Sequence, residues 1–154
     1  MKKKFDKRSF SWAGVSPTSY ADEHTDSAGR SWRDTSRHII KGREEGGRFD
    51  VRYFEVAHGG FTSLECHEHI HSVICVRGEG YAVVGDAVHD VDGFDHILVP
   101  PNTPHQFVNQ GDEPFGFLCI VDAERDRPRA LTAQELAALL DNPVVASKLR
   151  REPT

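Results

Sequence analysis

Four side chains in this sequence have the types and spacing of a metal site: Glu65, His67 and His71 within Glu65-Cys-His-Glu-His-Ile-His71, and His105 further along. Side chains alternate faces along a β-strand, so Glu65 and His67, two residues apart, point the same way. A tight turn over Glu68-His69-Ile70 starts a returning strand at His71 and aims its imidazole back at the same spot. Near pH 7 the carboxylate is ionised and the imidazole neutral, so each offers a lone pair. One carboxylate and three imidazoles suit a divalent transition ion such as Mn, Fe, Zn, Ni or Co. Calcium and magnesium prefer oxygen ligands. Four protein ligands leave one or two positions for water, dioxygen or a substrate oxygen. Cys66 faces away from Glu65 and His67 and is outside the set. His69 falls on the turn and is expected to be exposed.

The elements that must hold these residues read as strands. Arg37–Lys41, Phe49–Val56, Thr62–His67, Ser72–Arg77, Gly80–Val84, Ala87–Val91, His96–Val99, His105–Asn109 and Phe115–Val121 are apolar or alternating segments. Turn residues separate them: His58-Gly-Gly60, Gly78-Glu-Gly80, Gly85-Asp86, Asp92-Gly93, Pro100-Pro-Asn102 and Gly111-Asp112. Many short strands without intervening helices predict an all-β fold, a single antiparallel β-barrel or jelly roll. Three zones follow. Residues 1–36 form a polar N-terminal arm, irregular and pinned by Phe10, Trp12, Tyr20 and Trp32; residues 37–123 form the barrel; residues 124–154 form a helical C-terminal segment. In that segment Thr132-Ala-Gln-Glu135 is a capping box, because hydroxyl and carboxylate satisfy free amides at a helix start. Leu136, Leu139 and Leu140 continue it at helical spacing, and a second short helix is expected from Pro143 to Arg150.

Composition sets the outer limits. With 154 residues, 38% apolar content, 13 glycines and 8 prolines, the chain suits one domain of strands and turns. A net charge of −5 disfavours nucleic acid, which needs a basic face. No apolar run approaches the ~18 residues that cross a bilayer, and no apolar segment follows the basic start to make a signal peptide. Three cysteines without C-x-x-C spacing point to a reducing, cytoplasmic setting.

The metal-ligand segment resembles the first motif of the cupin superfamily, G-x5-H-x-H-x3,4-E-x6-G, over Gly60 to Gly78. Counting back from Gly78 places His71 where that family has Glu, His67 at the second His and Glu65 at the first. Glu and His have exchanged ends while the inventory is kept. An alternative phasing takes His67-x-His69 as the family's HxH, but puts Val73 or Ile74, which cannot ligate, at the Glu position. The second motif, G-x5-P-x-G-x2-H-x3-N, is similar to Gly93–Asn109, with Pro100, His105 and Asn109 matching, one extra residue after Gly93 and Asn102 standing for a glycine. Asn tolerates the left-handed backbone a glycine turn requires. The resemblance implies a small cupin barrel with a metal bound inside it. It implies no single reaction, since this fold hosts dioxygenases, isomerases, cyclases and binding proteins.

Alternation from His71 turns Val73 and Cys75 toward the cavity, and Phe107 shares the face of His105. Phe117 and Phe54 extend an apolar wall suited to a small organic molecule. Cys119, like Cys75, lies in an apolar strand. Arg52 or Tyr53 is expected to face inward if either does. His24, His38, His58, His89 and His96 are scattered and read as surface or hydrogen-bonded residues, and Arg125-Asp-Arg-Pro128 as an ion-paired turn. The functional expectation is a metal-dependent enzyme using its ion as Lewis acid or oxygen activator, dioxygenase-like, with Glu65 as a possible base. A cupin isomerase or cyclase and a non-catalytic binding or sensor protein are the alternatives. Open sheet edges favour a homodimer.

Overall fold

The structure is a computed structural model and describes residues 1–20 and 30–151. Three short strands come first: β1 (Phe5–Asp6), β2 (Ser11–Trp12) and β3 (Pro17–Tyr20). They are followed by β4 (Arg33–Lys41), β5 (Phe49–Phe61), β6 (His71–Arg77), β7 (Gly80–Val84), β8 (Ala87–Val91), β9 (His96–Val99), β10 (His105–Val108) and β11 (Phe115–Asp122). The main sheet runs β8-β7-β10-β5-β11-β6-β9, with β4 also paired to β5 and β3 to β4, all antiparallel.

The 13-residue β5 makes the sheet curl. Its first half pairs with β4 on one side and β11 on the other, while its last residue, Phe61, pairs with Val108 of β10. The sequence reading ends this strand at Val56. The glycines bend it instead: Gly59 has φ 73°, and a Cβ on Gly60 would lie 2.7 Å from the carbonyl oxygen of Arg33. Residues 62–67, expected as a strand, form only isolated bridges, Glu65 to His105 and Cys66 to Arg129. Successive residues pair with different segments there, so no ladder extends.

One face of the curled sheet is the barrel interior, packed by Val73, Cys75, Val99, Phe115, Phe117 and Cys119 among others. The outer face of β7 and β10 is covered by α1 (Ala133–Leu140) and α2 (Pro143–Lys148), whose Leu139 and Val145 meet Phe61, Tyr81, Val83 and Val108. The Thr132 hydroxyl accepts from the Glu135 amide at 3.2 Å and the Glu135 carboxylate from the Thr132 amide at 2.8 Å, the reciprocal cap expected. Leu140 is exposed and leaves the apolar stripe.

The N-terminal arm is more regular than its composition suggests. β1 and β2 form a hairpin whose Phe10 and Trp12 pack on Tyr53, at 5.4 and 5.2 Å between ring centroids. β3 adds to β4, which begins at Arg33, and Tyr20 stacks on Trp32 at 4.9 Å. Among the described residues no helix is long and apolar enough to cross a membrane.

Gly78, the last glycine of the first motif, turns β6 into β7 at φ 60°, and a Cβ there would lie 2.4 Å from the Pro114 carbonyl oxygen. Strain and clash with backbone coincide, so Gly78→Ala is expected to destabilise by roughly 2–4 kcal/mol in urea unfolding. A change below about 0.5 kcal/mol would show that the turn relaxes freely.

Candidate metal centre

The two motif segments meet through backbone. The Glu65 amide donates to the His105 carbonyl at 3.2 Å and the His105 amide to the Glu65 carbonyl at 3.0 Å. Opposed residues of an antiparallel bridge share a face, so the carboxylate and the imidazole are set side by side. The Asn102 amide donates to the His67 carbonyl at 2.7 Å, and Asn102 adopts φ 56° in the place of the motif glycine. His71 opens β6 opposite Val99.

Two overlapping groups of ligand atoms result. Glu65, His67 and His105 lie within 4.8 Å of one another, and so do His67, His69 and His71; His67 belongs to both. His69 is thus a correction to the exposed turn residue expected. It is buried, stacked on His67 at 3.7 Å, and its Nδ1 lies 2.6 Å from Asp126 Oδ1. The spacing His67-x-His69-x-His71 carried this signal, but a turn assigned to 68–70 hid it.

The hydrogen bonds orient the rings. His67 Nδ1 meets the His69 carbonyl at 2.7 Å and His105 Nδ1 the Thr103 carbonyl at 2.9 Å. These partners and Asp126 only accept, so Nδ1 carries the proton in each ring and Nε2 keeps its lone pair. His67 Nε2 is buried and has no hydrogen-bond partner among the described residues. Leaving such an atom unmatched costs about 1–3 kcal/mol unless a ligand takes the lone pair. His69 Nε2 and His71 Nε2 lie 3.1 Å apart. Nitrogens each about 2.1 Å from one ion and at right angles are separated by about 3 Å, so the donors fit a divalent transition ion.

Burial sets the charges. It pushes His67 down to about 4, with the neighbouring His105 and His69 adding to the effect, and pushes His105 to about 4 and His71 well below the usual imidazole range. It raises the Glu65 carboxyl, opposed by Ser63, whose hydroxyl donates to Glu65, and by Arg30, 3.7 Å away. Against the upward push of burial, bonds from His69 and two backbone amides hold Asp126 at about 2. A histidine whose folded pKa is depressed stabilises the fold fully above its unfolded value near 6.5 and less as pH falls toward 4. Glu65 has the opposite sign, but three histidines outweigh it. The thermal midpoint of chelator-treated protein is therefore expected to fall steadily between pH 6.5 and 4; a flat profile would contradict the buried neutral cluster.

Beside the cluster is a cavity of about 520 Å3. Glu65, His71 and His105 line it, with Phe54, Phe107 and Phe117 as an aromatic wall, while His67 sits behind them, 2% exposed. Val73 and Cys75 do not line it, contrary to expectation. They face the interior as alternation requires, but the barrel there is filled and both are packed in the core. Cys119 takes the wall position instead, with its Sγ 3.2 Å from Arg52 Nη2. Arg52 faces inward and is 8% exposed; Tyr53 lies on the opposite face under the arm. Six arginines line the cavity (Arg30, Arg37, Arg43, Arg52, Arg125 and Arg127) against four carboxylates, Glu44, Asp50, Glu65 and Asp126. Arg125 pairs with Asp50 at 2.7 Å and reaches the cavity from the turn after β11. His58, His89 and His96 are exposed, and His38 packs edge-on to Tyr53. His24 lies outside the described residues.

The comparisons agree with this geometry. The cupin domain family matches residues 52–121. A curated relative, 1-methylthio-D-xylulose 5-phosphate methylsulfurylase of Rhodospirillum rubrum, is 38% identical over 140 residues, covering 91% of this chain and 86% of that protein. A cupin 2 conserved barrel domain protein from Rhodopseudomonas palustris superposes with a TM-score of 0.87 at 35% identity, over 98% of this chain and 100% of that one. A cupin-2 domain structure from Rhodospirillum rubrum gives 0.80 at 36% identity, over 96% of this chain and 94% of that one. The chain belongs to the cupin superfamily.

Proposed function

We propose that this cupin is a metal-dependent enzyme acting on a small phosphorylated ketose with a methylthio group at C1, the compound named for its Rhodospirillum rubrum relative. The observation that carries this reading is a free thiol, Cys119, sharing one arginine-rich cavity with the imidazole cluster. The other two cysteines, Cys66 and Cys75, are buried away from that cavity.

Glu65, His67 and His105, or His67, His69 and His71, would hold a divalent ion, which would supply Lewis acidity toward a substrate carbonyl. The protein's own groups do the rest. Burial raises the Cys119 thiol, and the Arg52 guanidinium opposes it by favouring the thiolate. The thiolate attacks the methylthio sulfur, the C1–S bond breaks, and its electron pair passes to the C1–C2–O enolate. Glu65, the carboxylate whose charge acts on Cys119, carries the thiol proton to C1, giving the 1-deoxy ketose phosphate. Cys119 is left as a methyl disulfide, and an external thiol attacks it, takes up the methylthio group and returns a proton to Cys119. The wall of Phe54, Phe107 and Phe117 keeps water from the thiolate.

The dioxygenase expectation yields to this reading because the 38% identical relative bears a methylsulfurylase name. Incubating the purified protein with 1-methylthio-D-xylulose 5-phosphate and a small thiol tests it. Consumption that stops with a chelator and returns with divalent metal is expected. Absence of consumption under any metal would overturn it and favour a binding protein.

A further inference from the structure

We propose that Arg37 binds the phosphate of the substrate and so fixes which way the ketose lies. The proposal deepens the functional reading above and rests on it for the identity of the ligand.

The strand register places Arg37 on the cavity face. Arg37 of β4 is opposite Phe54 of β5, which is opposite Phe117 of β11; one step along, Ile39 is opposite Arg52, which is opposite Cys119. Opposed residues share a face, so both arginines and the thiol project into the same space. The other buried or half-buried arginines of the cavity are already engaged. Arg125 pairs with Asp50, Arg30 approaches Glu65, and Arg52 donates to Cys119. Arg37 differs. Its Nε, like that of Arg52, is fully buried with no hydrogen-bond partner, but unlike Arg52 it forms no ion pair or hydrogen bond through the rest of its guanidinium among the described residues. Its guanidinium lies over the face of Tyr20, 5.3 Å from the ring centroid, and none of its donors has an acceptor among the described residues.

A half-buried guanidinium whose Nε is cut off from water gains by taking an anion, and its planar fork matches phosphate oxygens in pairs. The cavity already holds more arginines than carboxylates, so an anionic ligand balances it. The span also fits. Arg37 and Cys119 stand two strand spacings apart and two residues along, about 12 Å, with Phe54 and Phe117 between them. A five-carbon chain with sulfur at one end and phosphate at the other bridges that distance, placing C1 at the thiol and C5 at Arg37.

Inorganic phosphate titrated calorimetrically into the full chain, as purified, tests the subsite. Arg37→Gln is expected to weaken phosphate binding tenfold or more, and Arg37→Lys by less, since an ammonium keeps the charge but loses the fork. Arg127→Gln, at an exposed position of the same wall, is expected to change it less than threefold. Unchanged metal content and thermal midpoint in the variants show that the site alone was altered; if Arg37→Gln does not fold, Arg37→Lys decides. Parental affinity in both Arg37 variants, or no phosphate binding by the parent, would overturn the proposal. Arg37-dependent phosphate binding without turnover of the methylthio ketose leaves the subsite standing and removes the reaction. Turnover with an unchanged KM in Arg37→Gln does the reverse.

Discussion

Replacing His67 by alanine is expected to weaken divalent-metal binding by well over 100-fold, more than any other single change at the cluster. The reason is geometric: His67 belongs to both groups of ligand atoms, and its Nε2 is the buried nitrogen left without a partner. Asp126→Asn, which meets the outer nitrogen of His69 and the Glu68 and His69 amides but is in neither ligand group, is expected to cost about 10–100-fold, the usual range for a group that orients a ligand. Competition titration against a chromogenic chelator measures both. Equal losses in the two variants would mean that His69 and Asp126, not His67, anchor the ion.

Cys119→Ser is expected to lower turnover of the methylthio ketose phosphate by at least about 10³-fold, because a hydroxyl beside Arg52 is neither ionised nor thiophilic. Metal content is expected to stay at the parental level, since Cys119 stands outside both ligand groups. Intact-mass measurement after mixing parent with substrate, without external thiol, is expected to show a methylthio adduct that Cys119→Ser lacks. Turnover within tenfold of the parent would remove the thiol from the chemistry and leave the metal cavity alone.

Alternation and turn residues were sufficient to place β6 to β11 and the capped helix, because in those segments most residues pair in a ladder, broken by one register shift at Gly116–Phe117, or in an i to i+3 cap. Where the chain changes partners, periodicity misled. The strand expected over 62–67 dissolves into single bridges, and β5 runs past Val56 because Gly59 and Gly60 bend it. The structure draws Glu65, His67, His71 and His105 together. His69 joins them because the 68–70 segment is tied down by Asp126, a residue far along the chain that no local pattern connects to it. Alternation also set Val73 and Cys75 facing inward, but it carries no depth: it cannot separate a filled stretch of barrel from a hollow one. The arginine wall was illegible for the same reason. Arg37, Arg52 and Arg125 come from three separate segments and share a cavity only through the curl of the sheet.

Two trios of donor groups sharing His67 are the proposed seat of a divalent ion. Elemental analysis by emission spectroscopy, on protein purified without added metal, tests this most directly. Close to one transition-metal ion per chain is predicted for the parent, and none for His67→Ala. Parental protein free of metal that also fails to take up Mn, Fe, Co, Ni or Zn on dialysis would contradict it.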